Sequence, residues 1–132
     1  MSIEGLISVP SAHGPGESVA RLTDEIRSRR LTLFAHIDHS DGAAALGLHL
    51  RPTDVLIFGH AKGGTPLMQA AQTLGIDLPL RALVWQDGDG RTWISYVDPE
   101  WLAARHGLAP STAAALASAL ASIVASAAGG AP

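Results

Sequence analysis

Hydrophobic positions along the chain switch repeatedly between two periods. Leu6–Val9 is a short apolar run stopped by Pro10, which predicts a first strand. Val19, Leu22 and Ile26 recur at the spacing of one helical face with charges between them, and predict a helix from about Glu17 to Arg30. Leu31–Asp38 alternates and carries Phe34 and Ile37, as a strand does. Ser40, Asp41 and Gly42 offer a cap for a short helix over Gly42–Leu46, stopped by Gly47, while AAALGLHL at 43–50 also suits an extended strand. Val55–Phe58 is apolar without interruption, which suits a central strand. Thr65 as cap, Pro66 at the first helical position and a stripe of Leu67, Ala70, Ala71 and Leu74 predict a helix that Gly75 ends.

Two β-rich runs follow, Leu80–Gln86 and Arg91–Val97, joined by the hairpin signature Asp87-Gly88-Asp89-Gly90. Asp98-Pro99 opens a further helix with Trp101 and Leu102 facing in, and Gly107 closes it. Pro110-Ser111 opens the last helix, whose Leu116, Leu120, Ile123 and Val124 share a face. The order predicts an α+β fold: a largely antiparallel sheet of about five strands, with helices packed mainly on one face. A single domain over residues 1–126 is expected, followed by a flexible tail, 127–132.

Composition narrows the function classes. The 132 residues are 47% hydrophobic and 16% charged, which excludes a disordered chain. The formal charge is −3, and no broad basic surface is evident, so nucleic-acid binding is not expected. Arg27, Arg29 and Arg30 form the one basic cluster, at a predicted helix C-terminus where cations complement the dipole. The chain has no cysteine, so disulfides, thiolate metal sites and cysteine nucleophiles are excluded. The N-terminus does not read as a secretory signal, and a cytoplasmic protein is expected. The alanine- and serine-rich stretch at 111–130 comes nearest to a membrane span but reads as too weakly apolar, so no membrane association is expected.

Candidate chemistry concentrates in two places. The stretch 34–42, FAHIDHSDG, brings His36, Asp38 and His39 to a strand end. His60 follows the next strand. If those strand ends adjoin, His36, His39 and His60 can form a metal site, and Asp38 with His39 can act as an acid–base pair. The second place is Lys62-Gly63-Gly64-Thr65 at a predicted helix start, where free amides favour an anion. The lysine precedes the glycines, unlike a nucleotide-hydrolysing phosphate loop. Tyr96 and Asp98 add polar groups that can line the same pocket. The residues point to no particular cofactor.

Several blocks together resemble a bacterial family, domain of unknown function 302. They are IDH at 37–39, LIFGHAKGGTPLMQAA at 56–71, LPLRALVWQDGDGRTWISYVDP at 78–99 and LAARHGL at 102–108. The resemblance implies a compact α+β domain, similar in topology to TATA-box-binding-protein-like sheets, and self-association. It carries no established reaction. The family's characteristic polar positions fall at Asp38 and His39, at Gly59, Thr65 and Met68, and at Tyr96, Asp98 and Pro99. Its pattern often has Arg at His36 and Asn at His60, which weakens the three-histidine metal site. The leading expectation is a homodimeric domain that binds a small anionic ligand where Asp38 and His39 meet Lys62–Thr65. The alternatives are a metal-dependent or acid–base enzyme using His39 and Asp38, and a purely structural interaction module.

Overall fold

The sheet contains β1 (Leu6–Pro10), β2 (Thr32–Asp38), β3 (Thr53–Gly59), β4 (Leu80–Gln86) and β5 (Thr92–Val97), in a computed structural model that describes residues 2–129. All neighbouring strands are antiparallel, in the order β1-β5-β4-β3-β2. Alternation puts Leu56 and Phe58, Ala82 and Val84, and Ile94 and Tyr96 on one face. The stripes of α1 (Pro15–Ser28) and α5 (Ala114–Ala128) close on that face through Leu22, Ile26, Leu120, Ile123 and Val124. Each large apolar side chain buried there contributes on the order of 1.5–3 kcal/mol.

A smaller core sits at the end of the sheet where β4 begins and β5 finishes. Leu67 of α3 (Ala61–Ala70), Leu74 of a 3-10 turn (Gln72–Ile76), Leu102 and Ala103 of α4 (Pro99–Arg105), and Ala113 of a second 3-10 turn (Pro110–Ala113) pack together there. Leu78 and Leu116 touch both cores.

The predicted α+β class and one-sided helical cover are present, but several boundaries move for identifiable reasons. The expected helix with Thr65 as cap begins earlier, at Ala61, because the His60 ring caps it: Nδ1 accepts the Lys62 N–H at 2.9 Å. Thr65 and Pro66 therefore lie inside the helix. The short helix α2 (His39–Ala45) also starts early, because Asp38 is its N-cap, accepting the Asp41 N–H at 2.9 Å. At the C-terminus, α5 runs to Ala128, and Ala127 and Ala128 are buried in the main core. The tail expected from 127 is thus helical for those two residues, while 130–132 lie outside the described residues. The stretch Pro110–Ala128 is long and apolar enough to cross a membrane, with a mean hydropathy of 1.6, which exceeds the sequence expectation. Here its large apolar residues pack on the sheet.

Candidate functional site

Strand direction decides which polar residues can meet. Asp38 pairs with Asp54 and Thr32 pairs with Gly59, so the end of β2 lies beside the start of β3. Asp38 and Gly59 are separated by five residues of β3, about 17 Å at the usual rise. Asp38 and His39 therefore do not converge with His60 and Lys62–Thr65. The expected shared pocket is absent, and so is the metal site of His36, His39 and His60. Among the described residues no group of three or more His, Asp or Glu side chains could hold a metal ion.

At the Asp38 end, each candidate has a local partner. The Ser40 hydroxyl, then the Asp41 N–H, hold the Asp38 carboxyl below its ordinary value. That environment favours a helix cap over a general base, which needs a raised pKa. His39 is exposed in the first turn of α2. His36 Nε2 donates to Asp54 Oδ2 at 2.6 Å, a pairing hidden from the sequence because register brings the two strands' residues together.

The opposite end of the sheet carries a cavity of about 640 Å³. It lies between the C-terminal end of α1, the start of β2, the β3–α3 junction, the start of β4 and the middle of α5. Lys62, Gly63 and Gly64 line it, as does His60. Thr65 is exposed on α3 and Tyr96 is in the main core, and neither reaches the cavity. Burial, then the charge of Asp98, raise the Tyr96 phenol above its ordinary value, so it stays neutral. Asp98 caps α4 by accepting the Glu100 N–H at 3.0 Å. Three of the six residues expected to bind ligand thus share this cavity.

Several cavity residues carried no sequence signal for it. Arg29 and Arg30 stand at its mouth, and Phe34, Met68, Leu116 and Ile123 form part of its apolar wall. Arg29 is tied down, with Nε on Glu25 at 3.3 Å and Nη2 on Ser122 at 3.1 Å. Arg30 and Lys62 make no side-chain hydrogen bond or ion pair among the described residues. Lys62 is near the N-terminus of α3, but the Gly63 and Gly64 amides already donate to the His60 carbonyl. Any anion here is therefore held by side chains more than by the helix start.

A further polar cluster ties the first 3-10 turn to α4. His106 Nε2 donates to Asp77 at 2.5 Å, Arg105 grips the same carboxylate at 2.9 Å, and the Thr73 hydroxyl meets His106 Nδ1 at 2.8 Å.

Residues 7–127 match the family described as domain of unknown function DUF302. The chain belongs to that family. A DUF302 protein from Bacillus stearothermophilus shares the fold, with a TM-score of 0.83 at 18% identity over 92% of this chain and 97% of that one. Among curated proteins, "Fluoride-specific ion channel FluC 1" of Brucella suis biovar 1 (strain 1330) is 44% identical over 112 residues. The protein of that name in Brucella abortus biovar 1 (strain 9-941) is also 44% identical over 112 residues. The match covers 85% of this chain in both cases, but only 44% and 42% of those relatives, so it spans less than half of their length.

Proposed function

We propose that this domain binds a small organic anion in the cavity between α1, α3 and α5. One observation carries the reading: exposed cationic side chains line an otherwise apolar cavity, in a chain whose net charge is −3. Its size falls in the range of small-molecule sites, roughly 300–1,000 Å³. A ligand that binds only the folded state raises the melting temperature by mass action. Thermal denaturation with a panel of carboxylates and phosphates therefore tests the reading. At least one class should stabilise the native chain, and Lys62→Glu should abolish that gain. No stabilisation by any member of the panel rejects the proposal.

The name of the Brucella relatives bears on the setting. Ion conduction needs apolar segments that span a membrane. Here the apolar stripe of Pro110–Ala128 is spent on the sheet. We therefore read the shared part of those longer proteins as a ligand-binding module beside the conducting part.

Self-association has its own support. The sheet face turned away from α1 and α5 carries Val55, Ile57, Leu83 and the stacked pair Trp85 and Trp93, 6.3 Å between ring centres. We read that face as the homodimer contact. The second functional reading, acid–base catalysis, now rests on His36 and Asp54, since the carboxylate can orient the imidazole.

A further inference from the structure

We propose that the ligand is a single-chain amphiphile with an anionic head, carboxylate or phosphate, and that Arg30 is the residue that receives the head. This rests on the reading of the cavity as an anion site.

The lining chemistry selects the tail. Apart from Arg29, Arg30, His60 and Lys62, every lining residue is glycine or carries an apolar side chain. Among the described residues no hydroxyl, carboxamide or carboxylate side chain lines the cavity. A sugar, nucleobase or peptide would bury donors and acceptors there with few side-chain partners, which binding disfavours. An aliphatic chain has nothing to satisfy and gains from leaving water.

The backbone selects Arg30. It follows α1 at φ 59°, and among the described residues no other non-glycine side chain has a positive φ. The surrounding hydrogen bonds define the helix-ending motif that ordinarily takes glycine: the Leu31 N–H reaches the Ile26 carbonyl at 3.1 Å, and the Arg30 N–H reaches Arg27 at 3.0 Å. Any side chain at this position strains the backbone. The strained position is nonetheless filled by an arginine at the mouth of the cavity, and that arginine has no ion pair among the described residues. Strain retained at such a place points to use. Lys62 lines the same cavity from α3. A guanidinium fork and an ammonium together complement a carboxylate or a phosphate.

Isothermal titration calorimetry on the full chain, with probes below their micelle concentrations, tests the proposal. Dodecanoate or dodecyl phosphate should bind at one per chain. Dodecanol should bind at least tenfold more weakly, and acetate and inorganic phosphate should give no measurable binding. Arg30→Gly should weaken the amphiphile at least tenfold while raising the melting temperature, since glycine relieves the strain; a folding defect therefore cannot explain the loss. Arg30→Lys should restore part of the affinity. Equal affinity for dodecanol and dodecanoate, or unchanged affinity in Arg30→Gly, overturns the head-group assignment. Binding of benzoate or other compact anions without dodecanoate or dodecyl phosphate overturns the tail and leaves the anion site standing. Silence from every probe overturns both.

Discussion

The chain has two phenylalanines, each on a strand, and the fold gives them opposite duties. Phe58 on β3 is fully buried between the sheet and its helices, while Phe34 on β2 leaves 57% of its surface exposed beside the cavity. Phe58→Ala removes the ring from a packed core that can only partly collapse, a loss of about 4 kcal/mol. For a domain of this size that lowers the melting temperature by roughly 15 °C. Phe34 buries less than half of its surface, so Phe34→Ala costs about 1 kcal/mol once residual burial in the unfolded chain is allowed for. Its shift should stay within about 5 °C. Calorimetric melting of both variants beside the parent, supported by urea midpoints, measures the contrast. Phe34→Ala should in addition weaken dodecanoate binding, because the ring forms part of the cavity wall. Equal losses of stability, or a larger loss for Phe34→Ala, would mean that the cavity is closed around Phe34 and that the site is wrongly drawn.

Gly5 has φ +75°, and a Cβ there would fall 2.4 Å from Trp101 Cδ2, so Gly5→Ala should cost at least about 2 kcal/mol in urea denaturation. Asp87 accepts from the Trp93 Nε1–H and from backbone N–H groups, which lowers its pKa below the ordinary 3.8. Its ionised form therefore stabilises the hairpin above that pH, and the contribution is lost as pH falls through the depressed value. Asp87→Asn should accordingly lower the melting temperature at pH 7, with the gap to the parent narrowing as pH falls below 3.8; a gap that stays constant throughout acid titration would exclude this linkage. Leu83→Lys places a charge on the uncovered sheet face and should reduce the proposed homodimer to a monomer by light scattering; a monomeric parent, or an unchanged dimer mass in the variant, would reject that face as the contact.

Element type was legible because it depends on local periodicity. The unbroken apolar run Val55–Phe58 is enough to mark an inner strand, and the spacing of Leu120, Ile123 and Val124 is enough to mark core. The site was less legible because it depends on strand direction. His36 and Asp38 share a sheet face, as alternation requires. The pattern predicts a largely antiparallel sheet but does not fix β3 against β2 in particular, and their antiparallel pairing sends Asp38 and His60 to opposite ends. The cap at His60 is not legible in the sequence, because an imidazole nitrogen takes the place of the usual Ser, Thr, Asp or Asn oxygen. Arg30 left only a faint trace: no glycine separates α1 from the strand that begins two residues later. Helix-start amides point to Lys62, Gly63 and Gly64 in the sequence, although the two glycine amides are already engaged in the structure.

Amide chemical shifts of the isotope-labelled chain titrated with dodecanoate test the central claim most directly. The account predicts saturable shifts at Leu31, at Gly59–Gly64 and along Leu116–Ile123, with Asp38–Asp41 unmoved. Shifts confined to Asp38–Asp41 and Asp54, or spread over the uncovered sheet face alone, would contradict it.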